Sequence, residues 1–244
     1  MQLSPNLIMG TFHRRYKRFF SDVTNSEGKL LTIHCPNTGS MKNCLVENSK
    51  CWYSLSDNPK RKLPGTLELV TNKFGNLAGI NTNRANKLVR EAIESDFIPE
   101  LCGYRHLRAE VKYGEENSRI DLLLEDSAKG QCYIEVKSVT LEESNGLVKF
   151  PDAVTSRGAK HLRELIHVVQ QGHRAVLFFC VQVNGAQKME VAKAIDPEYA
   201  KTLIQAINAG VEVFAWRAKL SPTEAVLETA IPFLQDQQEP GREG

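Results

Sequence analysis

The stretch that decides the fold of this chain is CYIEVKSVTL, residues 132–141. Its apolar residues predict a buried β-strand, yet Glu135 and Lys137 stand two positions apart within it. Successive side chains of a strand point to opposite faces, so these two share one face while Ile134 and Val136 pack on the other. A carboxylate and an ammonium on one face of a strand indicate either an ordinary ion pair on a solvated surface or a functional site.

A second strand of the same character precedes this one. In SRIDLLLED, residues 118–126, Asp121 lies on one face and apolar residues lie on the other. If the turn at 127–130 makes the two strands antiparallel neighbours, Asp121 and Glu135 converge near one end of the sheet. Two carboxylates can hold a hard divalent cation, which polarises a phosphoryl oxygen and helps to generate hydroxide. Lys137 would then orient the attacking water or stabilise developing charge.

Composition indicates an ordinary globular protein. Of the 244 residues, 41% are hydrophobic and 25% are charged, which is typical of a soluble chain with a real core. No apolar run approaches the ~18 residues of a membrane-spanning helix, and the N-terminal basic cluster follows the apolar residues instead of preceding them as in a secretory signal. The six cysteines form no C-x-x-C pair, and Cys132 and Cys180 lie in apolar strands. We therefore expect free thiols, a cytoplasmic location and no membrane association.

Charge is divided unevenly along the chain. Residues 1–80 contain 11 Lys/Arg and 5 Asp/Glu, a net charge of +6, and residues 81–244 contain 20 and 24, a net charge of −4, which together return the overall +2. A basic N-terminal third joined to an acidic remainder predicts two modules. The first of them could bind a polyanion such as nucleic acid.

The periodicity changes at the same point. Residues 12–80 read as short strands separated by Gly, Pro and Asn turns, which predicts a small β-barrel or sandwich. From residue 81 the order α-β-β-β-α-β-α-β indicates helices packed on a mixed sheet, hence an α/β domain. We place the barrel at 1–80, the α/β domain at 81–225 and a polar tail at 226–244.

Two levels of resemblance follow from these motifs. Asp121, Glu135 and Lys137, with a helix before them and a basic helix after them, resemble the PD-(D/E)XK nuclease superfamily. The whole chain more closely resembles the sugar fermentation stimulation protein A (SfsA) family. The matching segments within residues 12–182 are RRYKRFFSDV, HCPNTGSM, NTNRANKLVREAI, RIDLLLED, YIEVKSVTL, FPDAVTSRGAKHLREL and VLFFCVQ.

The resemblance implies a mixed α/β architecture with an N-terminal OB-like β-barrel followed by a PD-(D/E)XK nuclease-like mixed-sheet domain. It also implies DNA binding without sequence specificity and a link to the regulation of sugar (maltose) utilisation in bacteria. The core acids of the superfamily match Asp121 and Glu135, and its lysine matches Lys137. A first-helix acid would be a further ligand of Mg²⁺ or Mn²⁺, which here falls on Glu91 or alternatively on Glu94.

Three groups of residues could contact DNA. The first combines cations with aromatic rings, although its rings could instead point into the core. The second is a polar loop that could hold a phosphate or another anion, or be a tight turn. The third begins the helix 155–171, capped by Thr155 or Ser156, and could otherwise be a solvated face; Asp152 before it is either a helix-start residue or an extra site acid. The residues are Arg14, Arg15, Lys17 and Arg18; Asn37, Thr38, Ser40 and Lys42; and Arg157, Lys160 and His161.

The leading hypothesis is a cytoplasmic bacterial DNA-binding protein that carries a magnesium nuclease-like site. The alternatives are an active nuclease that cuts DNA or RNA, a regulatory protein without catalysis, and an oligosaccharide-binding barrel. The remaining histidines show no metal-ligand spacing. The apolar strand 211–216 could lie on a sheet edge and pair with a second copy, so a homo-oligomer stays open.

Overall fold

The N-terminal third of the chain forms a closed barrel. A computed structural model describes residues 1–3 and 7–235, and its first sheet has the strand order β3-β2-β1-β4-β5-β6. A bridge between His34 and Thr66 joins β3 to β5, which closes β1 to β5 into a ring and confirms the predicted OB-like barrel. The strands are β1 Ile8–Tyr16, β2 Phe20–Thr24, β3 Leu30–His34, β4 Lys50–Leu55, β5 Gly65–Thr71 and β6 Leu77–Gly79.

Strand alternation explains the barrel core. Phe12, Val23 and Ile33 point inward from β1, β2 and β3, and each is at most 1% exposed. Gly10 lets β1 approach β2 closely, because a Cβ atom there would lie 2.8 Å from the main-chain oxygen of Thr24. The polar residues of β1 remain on the outside of the barrel, where Arg14 is exposed.

The second domain is the predicted mixed α/β structure. Its main sheet has the order β15-β14-β12-β9-β8-β7; β9, β12 and β14 are parallel, and the other pairs are antiparallel. A smaller sheet has the order β10-β11-β13-β16. The elements are α1 Asn83–Glu94, a 3₁₀ turn Pro99–Leu101, β7 His106–Tyr113, β8 Ser118–Asp126, β9 Gly130–Val139, β10 Leu141–Ser144, β11 Leu147–Phe150, α2 Ser156–Gln170, β12 Arg174–Val181, β13 Lys188–Val191, α3 Pro197–Ala209, β14 Glu212–Leu220, β15 Ala225–Ala230 and β16 Phe233–Leu234.

Helices cover both faces of the main sheet. On one face Leu88 of α1 packs in a cluster with Ile134 and Phe178, and on the other face Leu162 of α2 packs in a cluster with Leu177. Since strand neighbours alternate between these clusters, the strands read as continuous apolar runs. Thr155, one of the two residues predicted to cap α2, accepts a hydrogen bond from the Gly158 amide at 3.0 Å. The helix begins at Ser156.

The C-terminal part differs from two expectations. Strand β14 lies between β12 and β15, so the edge position considered for residues 211–216 is wrong. Strand β15 extends the main sheet beyond residue 225, where the polar tail was placed, and the remainder of that tail after residue 235 lies outside the described residues. No helix in the described part of the chain is long and apolar enough to cross a membrane, and all six cysteines are free.

A buried carboxylate fastens the barrel to the second domain. Glu142 of β10 is fully buried, and its side chain accepts hydrogen bonds from Asn72 Nδ2 at 2.5 Å, from Asn76 Nδ2 at 3.0 Å and from the Gly146 amide at 2.9 Å. Asn72 and Asn76 belong to the turn between β5 and β6. Three donors would lose a charged acceptor without Glu142, which holds the two domains in one arrangement.

We expect Glu142→Gln to lower the free energy of unfolding by roughly 1–3 kcal/mol, because the new amide brings a donor among buried donors. Urea unfolding followed by circular dichroism measures the change. The matched control is Glu143→Gln on the same strand, whose partly exposed carboxylate lies 3.5 Å from Lys42 Nζ and should matter little. Equal effects of the two variants would contradict the role given to Glu142.

Candidate active site

The site lies where two neighbouring strands separate. Strands β8 and β9 pair from Leu122–Ile134 to Asp126–Gly130. Beyond Leu122 and Ile134, β8 stays paired with β7 and β9 with β12, so a fork opens at Asp121. The Asp121 Oδ2 atom accepts a hydrogen bond from the Val136 amide at 2.7 Å, and the side chain thus replaces a ladder bond that the fork removes.

Glu135 is the most constrained group at the fork. Its side chain is only 3% exposed, and its Oε1 atom accepts hydrogen bonds from Lys137 Nζ at 2.7 Å and from His161 Nδ1 of α2. Its Oε2 atom is buried and has no hydrogen-bond partner. Burial alone raises the pKa of Glu135, but the charge of Lys137 and the contact with His161 outweigh burial and hold this pKa below its ordinary value. An ionised carboxylate is therefore buried with one oxygen unsatisfied.

The ring of His161 has a second cationic neighbour in Arg157. Arg157 Nε donates to His161 Nε2 at 3.2 Å, and a guanidinium can only donate. A carboxylate only accepts, so His161 Nδ1 donates to Glu135 Oε1, and Lys137 Nζ lies 3.2 Å from the same ring nitrogen. Lys137 and His161 thus both donate to Oε1, which explains why Oε2 is left free.

Asp121 is held at a cost. Burial, followed by the nearby charge of Glu135, raises the pKa of Asp121 to about 6. Asn86 Nδ2 of α1 donates to its Oδ1 atom at 2.8 Å, which partly offsets this effect. Two carboxylates therefore meet at the fork with more negative charge than their neighbours compensate.

This arrangement fits a hard divalent cation. The unsatisfied Oε2 of Glu135 and the repulsion between Glu135 and Asp121 would both be relieved by a cation with oxygen ligands. Within residues 1–3 and 7–235, no group of three or more His, Cys, Asp or Glu is arranged to hold a metal ion. Protein ligands from two carboxylates suit Mg²⁺, which usually keeps several waters and adds substrate phosphates to one or two carboxylates.

The structure does not bring the expected first-helix acid to the fork. Glu91 Oε2 lies 2.6 Å from the N-terminal ammonium of Met1, and Glu94 pairs with Arg90 at 2.8 Å. The residue of α1 that reaches Asp121 is Asn86, five positions before Glu91 and hence about 140° away around the helix. Because the expected ligand on the first helix was an acid, the amide side chain of Asn86 was not singled out.

The basic residues of α2 have different surroundings. His161 is buried, with a side chain 7% exposed, and it faces Glu135 and not solvent. Lys160 Nζ donates to the main-chain oxygen of Glu116 in the turn between β7 and β8. Arg157 is exposed at the start of the helix. Of these three predicted DNA contacts, Arg157 alone lines the cleft described below.

The basic residues of the barrel also differ in their surroundings, some bound within the protein and others exposed. Arg14 pairs with Asp22 at 2.8 Å, and Arg15 donates to the main-chain oxygens of Gly39 at 2.9 Å and Asn37 at 2.6 Å. Arg15 thereby shapes the polar loop. Lys17 and Arg18 are exposed in the turn between β1 and β2.

The polar loop 37–42 does hold an anion, but it is a carboxylate of the second domain. Ser40 Oγ donates to the main-chain oxygen of Asp152 at 2.6 Å, and the Met41 amide donates to Asp152 Oδ2 at 2.9 Å. A Cβ atom at Gly39 would lie 2.5 Å from this carboxylate, so the close approach requires glycine. Asn37 is buried, Thr38 is exposed, and Lys42 pairs with Glu143.

A cleft of about 680 Å³ runs between the two domains beside Lys137. The barrel contributes Arg15 and Arg18 to its walls, and the second domain contributes Lys137 and Arg157. Cations that are far apart in sequence thus line one cleft together with Lys137, which binds Glu135, an arrangement suited to a phosphate backbone.

Comparisons with known proteins cover both domains. Residues 14–80 match the family model described as "SfsA N-terminal OB domain", and residues 83–224 match "Sugar fermentation stimulation protein RE domain". A relative from Shewanella denitrificans, named sugar fermentation stimulation protein homolog, is 54% identical over 237 residues, 96% of this chain and 100% of the relative. A relative of the same name from Teredinibacter turnerae is 56% identical over 234 residues, 96% and 100% of the two chains.

A solved structure agrees with this architecture. The Pyrococcus furiosus SfsA in complex with Ca²⁺ matches with a TM-score of 0.84 at 28% identity, over 96% of this chain and 98% of that one.

We expect Asp121→Asn to raise the free energy of unfolding at about pH 7.5 in EDTA, by on the order of 1–3 kcal/mol. Unlike Glu142, Asp121 has a partner that can adapt. The new side-chain oxygen accepts from the Val136 amide, and the new NH₂ donates to Asn86 once that side-chain amide flips. The folded pKa of about 6 lies above the unfolded value of ~3.9, so the carboxylate destabilises the fold fully above pH 6, less as the pH falls, and not at all below about pH 3.9. Urea unfolding at about pH 7.5 and 4.5 should show the gain shrinking at the lower pH.

The control for this measurement is Asp126→Asn on the same strand. The Ala128 amide holds the pKa of Asp126 below its ordinary value, so this variant should be less stable than wild type at neutral pH. Destabilisation of similar size in both variants would show that Asp121 is not held at a cost.

Proposed function

This chain belongs to the sugar fermentation stimulation protein (SfsA) family, and we propose that it is a DNA-binding protein whose second domain hydrolyses phosphodiester bonds with a divalent cation. The observation that carries the proposal is the buried, ionised Glu135, whose Oε2 atom has no hydrogen-bond partner. A buried charged oxygen without a partner is costly. A cation held between Glu135 and Asp121 removes that cost.

Asp121 and Glu135 would hold Mg²⁺ or Mn²⁺. When bound, such a cation polarises a phosphoryl oxygen and lowers the pKa of a coordinated water. The Ca²⁺ complex of the Pyrococcus furiosus SfsA supports a divalent cation in this protein as well.

Lys137 and the residues behind it have separate tasks. Lys137 Nζ donates to Glu135 and lies 3.2 Å from His161 Nδ1; its remaining N–H can stabilise charge on a phosphate in the cleft or orient the attacking water. His161 holds Glu135 in place through Nδ1, and Arg157 Nε donates to the other ring nitrogen of His161. The remaining guanidinium donors of Arg157 are available for a phosphate.

The cleft supports binding without sequence specificity. Its cations suit phosphates, and phosphate contacts position a nucleic acid without reading its sequence. A DNA partner implies a cytoplasmic location. The six free cysteines are compatible with that reducing compartment.

A second candidate is a DNA-binding regulator of sugar, including maltose, utilisation that does not turn over substrate. The names of the relatives support the link to sugar. Asn86 favours this candidate, because it meets Asp121 from α1 with a neutral amide and leaves two acidic groups at the fork. A cation there would then serve binding or stability only.

Wild-type protein incubated with single-stranded DNA, duplex DNA and RNA should cleave in Mg²⁺ or Mn²⁺ and not in EDTA. Glu135→Gln and Lys137→Met should each lower the rate at least about 10²-fold, as measured on labelled substrates. DNA binding should remain close to wild type, since neither change removes the other cations of the cleft.

The control is Glu125→Gln, a change of the same chemistry on β8 outside the fork, where Glu125 pairs with Arg108. Salt-sensitive binding without any metal-dependent cleavage would reject the hydrolase and favour the regulator. Cleavage that persists equally in all variants would mean that the fork is not its source.

His161→Leu should weaken divalent cation binding about 10–100-fold, because outer partners orient a metal ligand. His161→Asn retains an N–H near the position of Nδ1 and should recover part of this loss. Titration calorimetry with Mn²⁺ or Ca²⁺ measures both. The control His167→Leu removes a histidine of the same helix that pairs with Glu115 at the surface, and its affinity should be that of wild type; equal losses in His161→Leu and this control would contradict the role of His161.

A further inference from the structure

The turn between β1 and β2 displays an aromatic ring among cations. Phe19 is 47% exposed, and its ring stacks on that of His34, with centroids 6.5 Å apart and planes at 10°. Lys17 and Arg18 precede it and are exposed. We call Phe19 and His34 the ring pair. An apolar ring left in solvent at the tip of a basic turn is available to a planar ligand.

A second basic loop reaches the same place by barrel closure. The loop 56–64 between β4 and β5 carries the exposed run Lys60–Lys62 and one acid, Asp57. Arg61 Nη2 donates to Thr66 Oγ1 at 2.7 Å, and Thr66 is the residue that pairs with His34 across β3 and β5. The loop is therefore anchored directly beside the ring pair, although some 40 residues of sequence separate it from Phe19.

The turn that carries Phe19 also reaches the cleft. Arg18, next to Phe19 in sequence, lines the cleft together with Lys137. We call Lys60–Lys62, the ring pair and Arg18 the binding path: Arg61 is anchored at Thr66, the partner of His34, and Arg18 lines the cleft. The two loops that form this path, between β1 and β2 and between β4 and β5, are the loops with which OB barrels bind oligonucleotides.

From this path we infer that the preferred ligand is a single-stranded nucleic acid, with a base stacked on Phe19 and the strand continuing into the cleft. The inference rests on the proposed function, because it names the form of the substrate for the same site. A base can stack on a protein ring only when its face is free, as in a single strand. The cleft volume of about 680 Å³ is that of a pocket for a drug-sized ligand, about 300–1,000 Å³, which is room for nucleotides of one strand.

Fluorescence anisotropy in EDTA tests the inference without cleavage. Labelled oligonucleotides of one sequence are compared as single-stranded DNA, single-stranded RNA and duplex DNA at fixed salt. Either single strand should bind at least about tenfold more tightly than the duplex, and Phe19→Ala should weaken that binding about 5- to 150-fold. Phe19→Trp should restore it, and duplex binding should change little in both variants.

Two controls make the result specific. Phe97→Ala removes a ring that is 46% exposed but packs on Trp216 of the second domain, and it should bind like wild type. An abasic single strand offers no base to stack, so wild type should bind it about as weakly as Phe19→Ala binds the normal strand.

Replacing Lys60, Arg61 and Lys62 by Ala should reduce the slope of log affinity against log salt by about 2–3.

The outcomes separate this inference from the proposed function. The inference is overturned if duplex DNA binds as tightly as single strands or more tightly. It is also overturned if Phe19→Ala leaves the affinity for single strands unchanged, even when the protein cleaves DNA in Mg²⁺. Binding to single strands that depends on Phe19 supports it even if no cleavage occurs and the hydrolase is rejected. If the protein binds none of the three nucleic acids, both this inference and the proposed function are rejected.

Discussion

The separation of β8 from β9 at Asp121 is the constraint on which the rest of the site depends. If the two strands stayed paired, main-chain groups would satisfy one another where the Asp121 carboxylate now binds the Val136 amide. The fork instead places Asp121 beside Glu135, and Lys137 and His161 occupy one oxygen of Glu135 while the other stays free. The buried carboxylates of the fork lower the stability of the fold, and the packing of helices on both faces of the sheet offsets that loss.

The position of the barrel gives the fork its surroundings. Glu142 binds the turn between β5 and β6, and Asp152 binds the loop at Ser40 and Met41. Both contacts use carboxylates of the second domain and donors of the barrel, so the domains meet in one orientation. The cleft therefore combines cations of both domains next to Lys137, which neither domain would provide alone.

The residues of the fork illustrate what can be read from a pattern. Asp121, Glu135 and Lys137 were predictable because strand alternation and a short turn decide which side chains share a face. Glu91 was chosen as an acid on the first helix, but the rotation of α1 is decided by its apolar face, and that rotation turns Asn86 to the site. His161 shares helical spacing with Arg157 and so suggested a DNA contact, whereas its burial against Glu135 depends on how closely α2 packs on the sheet.

The sequence by itself determined the change from barrel to α/β domain near residue 80, the barrel and mixed-sheet classes and the faces of β8 and β9, because these follow from periodicity and turn residues within short windows. It did not show the short strands β10, β11, β13, β15 and β16, whose pairing depends on distant partners. Only the tertiary structure decided which distant groups meet. Closure of the barrel through His34 and Thr66 brings Arg61 beside Phe19, and docking of the domains fills the polar loop with Asp152. Such contacts depend on the packing of whole elements, and no local pattern of residues records them.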